Sequence, residues 1–448
     1  MKFLRWAACL LPLFLAACGG GGGGATTTTC TIIGTPRVSY TAPGAVALGG
    51  AVTLTQNAIN NVQAPCSLEY TASNLPTGLS INAATGQISG TVTAAGTTAT
   101  SVLATARGSS GGAVSGSGSI SFVVVGPVAW EVKTSNHGIG SLLSPNLVAI
   151  GSTLYAVGAQ QVGNNFLPLM YQSLDAGVTW TNTNTPPTGF TSLRYFKVVS
   201  DNASLYLVGG RTSDATVTSS ASYTYNQDVL KFTPGSPGAW TTISLNPFGT
   251  VPAPNGGRED LALAWDATNS TLYVHGGLRG NSVSNAVYRS SNRGVSWTLV
   301  NDISSSYNLF GHCMMASGGS LFVVGGMGFS PTATTIAEYP QVLKSTNGGV
   351  TWNLVASTRP VPGKALYASC AANNGRLYVA GGLSLNPSGY SGDVLQSLDN
   401  GTTWNLDPVS AVVGPRADQG MAVLNGKLLI FGGQNNLGPR TDVISGTP

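Results

Sequence analysis

LYVAGG (377–382), followed by DVLQSLDNGTTW (393–404), is one unit of a phrase that this chain writes six times. The apolar half recurs as LYAVGA at 154–159, LYLVGG at 205–210, LYVHGG at 272–277, LFVVGG at 321–326 and LLIFGG at 428–433. After a variable loop, a short strand-like segment follows five of the six: DVL at 228–230, AVY at 286–288, QVL at 341–343, DVL at 393–395 and DVI at 442–444. A turn and a Trp come next. Trp130, Trp180, Trp240, Trp297, Trp352 and Trp404 stand 50, 60, 57, 55 and 52 residues apart.

Units near 50 residues with four short strands each are the pattern of a β-propeller. The two ends complete one another. The last unit stops after Thr441-Asp442-Val443-Ile444-Ser445 without its Trp strand, while Val128-Ala129-Trp130-Glu131-Val132 is a Trp strand with no unit before it. Supplying that strand to the last unit removes both exposed edges. The expected fold over 126–448 is therefore a six-bladed β-propeller closed by an N-terminal strand.

Four of the turns share one wording: SLDAGVTW at 173–180, SSNRGVSW at 290–297, STNGGVTW at 345–352 and SLDNGTTW at 397–404. Through the Gly-Gly and Asp-Val elements the units resemble kelch repeats, and these turns resemble the Asp-box of sialidase-like propellers. In the second unit the box is degraded to FTPGSPGAW, 232–240. Asp175, Asn292, Asn347 and Asp399 are expected to bond turn N–H groups, with Gly at positive φ and Trp180, Trp297, Trp352 and Trp404 burying an apolar face. No box holds the paired acid and base of glycoside hydrolysis, so the boxes are expected to be structural.

The chain has 448 residues, of which 42% are hydrophobic and only 8% charged, and Gly numbers 60. That mix suits an all-β extracytoplasmic protein rich in turns. Residues 1–17 read as a secretory signal: Lys2 and Arg5, then an apolar run too short to span a membrane. The run ends in Leu15-Ala16-Ala17-Cys18, which resembles a bacterial lipobox. That resemblance implies lipidation of Cys18 and, with Gly19 after it, an outer-membrane address. Residues 18–29, rich in Gly and Thr, form a flexible tether; the eleven after Cys18 reach about 18 Å. With Lys2 and Arg5 removed, the net charge falls from +4 to +2 (4 − 2) and no basic stripe remains. Nucleic acid is not an expected partner.

Beyond Cys9 and Cys18, four cysteines remain. An oxidising compartment permits Cys30–Cys66 and Cys313–Cys370, paired by domain, with two other connectivities open. From 30 to 125 the sequence is Thr-, Val- and Ala-rich. NLPTGLSINAATGQISGT at 74–91 reads as a turn, a strand and a tight hairpin. It resembles the immunoglobulin-like, cadherin-related domains of bacterial surface proteins, which implies a β-sandwich spacer. Glu69 is the only carboxylate between 30 and 125, so no calcium site and no other metal or cofactor is expected.

Few residues remain for chemistry. Asp228, Asp393 and Asp442 are expected to brace neighbouring blades. Arg194 with Tyr195, Arg258-Glu259-Asp260, His312, and Arg416 with Asp418 precede the repeated strands and should gather at one mouth of the channel. Loops at 211–227, 327–341 and 383–392 add Tyr223, Tyr225, Tyr339 and Tyr390 to that face. Such Ser-, Thr-, Asn- and Tyr-rich loops suit adaptable recognition. The leading expectation is a lipid-anchored outer-membrane protein whose loop face binds a glycan or an envelope protein without catalysis. The enzymatic alternative is a sialidase-like or kelch-type sialic-acid epimerase, with Arg194, Arg258 and Arg416 holding a carboxylate and Tyr195, Tyr367 and Glu259 near the chemistry. A copper oxidase of the galactose-oxidase type is disfavoured, because only His137, His275 and His312 exist. An envelope assembly scaffold is the remaining alternative.

Overall fold

The structure is a computed structural model that describes residues 32–57, 60–62, 66–108, 111–187, 189–235, 238–248, 257–302, 308–329, 337–339, 341–355, 366–385 and 388–448. The expected signal at 1–17, Cys18, the tether at 18–29 and Cys30 lie outside them. The fold is all-β. Among the described residues the only helical turns are two 3-10 segments, Ser220–Ser222 and Ser410–Val412. None is long and apolar enough to cross a membrane.

The N-terminal part is an immunoglobulin-like sandwich. One sheet holds Ala45–Ala47, Ala113–Val125, Gly96–Arg107 and Ser67–Ser73; the other holds Ala51–Leu54, Ile88–Thr91 and Leu79–Ile81. Alternation along Gly96–Arg107 buries Val102, Ala104 and Ala106 and exposes Ser101, Leu103 and Arg107, as a half-buried strand requires. Val102 and Ala104 share a core with Val52, Ile88 and Phe122. The expected hairpin pairs Ile81 with Ile88. Asn82 Oδ1 accepts the N–H groups of Ala84 and Thr85. Gly86 takes φ +70°, where a Cβ would lie 3.0 Å from the Tyr70 ring.

Residues 129–447 form six four-stranded antiparallel sheets. Their first strands are Leu143–Ile150 (sheet 1), Lys197–Ser200 (sheet 2), Ala262–Asp266 (sheet 3), Cys313–Ser317 (sheet 4), Ser369–Asn373 (sheet 5) and Gly420–Leu424 (sheet 6). The apolar segments of the repeat are the second strands. The fourth strand of sheet 6 is Ala129–Thr134, paired with Val443–Thr447 in the manner the orphan Trp strand predicted. Each first strand neighbours the next, and that of sheet 6 lies against that of sheet 1. Cys313 and Cys370, one in each of two neighbouring first strands, are disulfide-bonded. Cys66 is also disulfide-bonded.

Fully buried side chains between sheets, among them Leu154, Leu205, Leu272, Phe322, Leu377 and Phe431, form the core. Each such side chain contributes about 1.5–3 kcal/mol. The Gly-Gly pairs end the second strands for a steric reason. A Cβ at Gly209, Gly276 or Gly381 would lie 2.3–2.6 Å from the carbonyl oxygen of Arg258, Leu309 or Arg416 in the next sheet's leading segment. The N–H groups of Gly210, Gly277 and Gly382 donate to those same carbonyls. Gly158-Ala159 breaks the pattern, and there the strand runs on unbroken over Thr153–Val162.

The repeated turn phrase works as a self-contained polar knot. In SLDAGVTW, Ser173 Oγ donates to Asp175 and accepts the Gly177 N–H, while Asp175 accepts both N–H and O–H of Thr179. Trp180 Nε1 donates to the Gly177 carbonyl. Asn292 and Asn347 do the same work, using their amide NH2 on Ser296 and Thr351. The residue before Gly is left-handed as well: Ala176, Arg293, Gly348 and Asn400 all have φ between +56° and +66°.

Two of the recurrent Asp residues hold their own sheets, which corrects the expectation that they brace neighbours. Asp442 binds Arg416 and Arg440 of sheet 6, and Asp228 accepts the Asn246 N–H of sheet 2. In each case the partner lies on a loop adjoining the same sheet.

Candidate functional site

Two residues before each of five first strands the backbone turns left-handed: Tyr195 (φ +57°), Asp260 (+53°), Gly311 (+61°), Tyr367 (+55°) and Asp418 (+58°). Ser144 (+46°) is the sixth member, near the start of a first strand that begins earlier. A bulky residue at positive φ is uncommon and costs of order 1–3 kcal/mol, so five side chains held there mark a constrained locus. The backbone stitches the members together. The N–H of Asp260 donates to Tyr195, Gly311 to Asp260, Tyr367 to Gly311 and Asp418 to Tyr367, at 2.8–3.2 Å. The result is a ring at one end of the six first strands.

Side chains cross this ring. Tyr367 donates to Asp260 Oδ2 at 3.0 Å and Ser144 to Asp418 Oδ2 at 2.8 Å. A polar cavity of about 120 Å³ adjoins it, lined by Lys197, His312, Tyr367, Asp418 and Gln419. A larger one of about 630 Å³ is bounded by all six first strands. Burial drives the carboxyl of Asp260 up to about 6, against the lowering charge of Lys197 and the Tyr367 hydrogen bond. Asp418 is raised by the same desolvation.

Glu259 sits next to the ring and is 3% exposed. Burial first, and Asp260 second, raise its carboxyl to about 7, opposed by Arg211 and Arg194. Its ion pair with Arg211 Nε spans 3.2 Å. Arg211 also lies over the rings of Tyr223 and Tyr195, at 4.1 and 5.1 Å. Arg194 is paired with Arg211 through the backbone and stacks on Phe166 at 3.4 Å. Desolvation, then the charge of Arg211, lowers its guanidinium. Two arginines, one acid and three aromatic rings thus come together here.

The other arginines lie apart. Arg258 is fully buried, donates to Ser284 Oγ at 2.7 Å, and is pushed down by burial to about 10. Arg416, equally buried, makes a two-pronged bond to Asp442 and donates to backbone carbonyls of Val413 and Gly432. Arg194, Arg258 and Arg416 therefore each engage a separate set of partners. His312 Nε2 is 2.9 Å from His275 Nδ1, and burial depresses both imidazoles, His275 to about 3.

Among the loop tyrosines, Tyr223 joins the Arg211 cluster, and Tyr225 accepts the Gly280 N–H at 2.6 Å. Tyr339 is buried in the core between sheets 3 and 4. Tyr390 ends the small hairpin strand Ser388–Tyr390, paired with Leu383–Leu385. No group of three or more His, Cys, Asp or Glu among the described residues could hold a metal.

Ser144, Lys197 and Arg211 were not singled out by sequence reasoning. A signal for the ring existed. Its members stand fifteen residues before the last residue of the apolar segment: 144 and 159, 195 and 210, 311 and 326, 367 and 382, 418 and 433. Only 260 and 277 are seventeen apart, because of the longer turn after Asp266.

Residues 35–125 match the family model described as "Putative Ig domain". No curated protein matches the chain. A solved structure described as "Structure of YjhT" is similar at 17% identity and a TM-score of 0.53, over 70% of this chain and 96% of that one. At that identity the likeness is one of fold.

Proposed function

We propose that the six sheets are the blades of a β-propeller of kelch and Asp-box type, borne on the immunoglobulin-like spacer. The cyclic order of first strands and the closing pairing of Ala129–Thr134 with Val443–Thr447 support this. In this reading Cys18 carries a lipid and the tether holds the protein at the bacterial outer membrane. The ring end, with its loops, binds a hydroxyl-rich glycan without catalysis; a protein partner and an assembly role are the other outcomes of the test below.

The observation that carries this reading is the ring itself. Asp260, Asp418, Tyr195, Tyr367 and Ser144 are fixed by backbone geometry in one ring, of which Tyr367 and Asp418 line the polar cavity, with the Arg211–Glu259 pair next to it. Carboxylates accept sugar hydroxyls, phenols offer stacking faces, and preorganised side chains lower the ordering cost of binding. Tyr223 over Arg211 extends that surface onto the loop at 211–227.

A sugar-active enzyme is a second reading, favoured by Glu259 at about 7 and Asp260 at about 6. Carboxyls poised near neutrality suit general acid–base work on an acetal or hemiacetal. The three-arginine version has less support, because Arg258 and Arg416 are engaged elsewhere.

Glycan-array binding by the full chain, beside Asp260→Asn and Arg211→Gln variants, tests the proposal. Binding that both variants weaken supports the ring as the site. Absence of binding to any glycan would overturn it and turn attention to envelope proteins. Turnover of a bound sugar, lost in Glu259→Gln, would replace recognition with catalysis.

A further inference from the structure

At the opposite end of the sheets, the repeated turns pack against their neighbours, and one junction is built differently. Between sheets 2 and 3 the left-handed residue of the turn is Arg293, whose Nε makes an ion pair with Asp201 Oδ2 at 3.3 Å. Asp201 also accepts the Tyr206 hydroxyl at 2.9 Å. Between sheets 3 and 4 the same framework recurs, with Tyr273 in the place of Tyr206 and Asp266 in that of Asp201. The place of Arg293, however, is taken by Gly348.

The smaller residue leaves a cleft of about 470 Å³. Its wall is polar throughout: Asn269, Thr271, Ser296 and Thr346 surround Tyr273 and Arg289. A Cβ on Gly348 would stand 3.1 Å from the Tyr273 hydroxyl and 3.7 Å from Arg289 Nη1, so both head groups converge on the open place. Asp266 does not answer that charge, for its oxygens serve the Thr268 N–H and the Asn269 amide of its own turn. Arg289 forms no ion pair among the described residues.

We propose that this cleft binds an acidic saccharide unit, with its carboxylate or sulfate on Arg289 and its hydroxyls on the surrounding amides and hydroxyls. The cation supplies a directional fork for a planar or tetrahedral anion. The hydroxyl and amide lining favours a sugar over an apolar ligand, and the volume falls within the range of small-molecule sites. This site is separate from the ring, at the far end of the sheets, and stands whether or not the ring binds a glycan.

Calorimetric titration of the full chain tests it, with an oligogalacturonate as the uronate probe, a heparin-derived oligosaccharide as the sulfate probe and neutral dextran as control. The expected result is saturable binding of one or both acidic probes and none of dextran. Arg289→Gln should weaken that binding about tenfold or more, the loss of one charge-assisted contact. Gly348→Asn, the residue this turn carries as Asn400 at φ +63°, should abolish it by filling the cleft with an uncharged plug. Arg107→Gln, an exposed arginine of the immunoglobulin-like domain, should bind as wild type. No binding of either acidic probe, equal binding of dextran, or wild-type affinity in both Arg289→Gln and Gly348→Asn would each overturn the proposal. Equal loss of binding in Arg107→Gln would do so too, by showing a general charge effect in place of a site.

Discussion

Tyr367 donates its phenolic proton to Oδ2 of Asp260 at 3.0 Å, joining the ring members of sheets 5 and 3 and passing over sheet 4 between them. Gly311, the ring member of sheet 4, makes the crossing feasible. A Cβ there would lie 2.7 Å from Leu366 Cδ1 and 3.0 Å from Tyr367 Cε1, at a backbone φ of +61°. Gly311→Ala should therefore cost about 1–3 kcal/mol of stability, through strain at positive φ and displacement of Tyr367. Urea unfolding checks this. Tyr367→Phe, which removes only the hydroxyl, should cost about 1 kcal/mol and raise the Asp260 carboxyl further, because the bond holds that carboxyl down.

The pH response follows from Glu259. Its folded value of about 7 exceeds the ordinary 4.5, so the folded state binds the extra proton between those values. Stability from this group falls as pH rises from about 4.5 to about 7, and the penalty is fully present above 7. Glu259→Gln should flatten that part of the stability–pH curve and raise the melting temperature most at pH 8. A curve of unchanged slope in the variant would mean that Glu259 stays ionised through its pair with Arg211.

One acid ties the fourth strand of sheet 6 to sheet 5. Asp407 Oδ2 accepts the Val128 N–H and the Trp130 indole N–H, each at 3.1 Å, and Asp407 is fully buried. Through these bonds sheet 5 holds the strand that completes sheet 6. Asp407→Ala orphans the buried Val128 N–H and the half-buried Trp130 indole N–H and should destabilise by about 1–3 kcal/mol, the cost of one buried unsatisfied group. Hydrogen exchange should then show early opening of residues 129–134 and 443–447.

The Cys313–Cys370 bridge closes a separation of 57 residues between two first strands. In the chain-entropy picture that is worth about 4 kcal/mol. A Cys313→Ser/Cys370→Ser double variant should melt at lower temperature than wild type in oxidising buffer. In excess reductant the two should melt together.

Much of the fold was legible because its period is written in sequence. LYLVGG and its five cognates marked the second strands, and the unpaired Trp130 strand marked the fourth strand of sheet 6. The turn phrases were legible because their hydrogen bonds are local, within eight residues. The site was less so. Arg258 and Arg416 look like free cations in sequence, yet burial against Ser284 and Asp442 depends on chain 26 residues away. Lys197 has no local signature at all, and Ser144 is marked only by its offset to the apolar segment. Their proximity to Asp260 and Asp418 arises only when distant sheets come together. The fifteen-residue offset to the ring was present in the sequence, but its meaning lies in backbone φ, which composition does not announce.

The repeated turn supplies the last test, because the chain contains its own controls. Asp175 and Asp399 use both carboxylate oxygens on Thr179 and Thr403, whereas Asn292 and Asn347 reach the same hydroxyl position with an amide NH2 donating. The hydroxyl must then serve as acceptor rather than donor, a role open to it by rotation. Asp175→Asn should thus be nearly neutral, within about 0.5 kcal/mol. Asp175→Ala removes the acceptor for the Thr179 N–H and O–H and for Ser173 Oγ, and should cost about 1–3 kcal/mol. If these turns serve the fold alone, neither change alters glycan binding at the ring. Thermal melts beside a binding titration of the same two variants separate the structural role from any role in recognition.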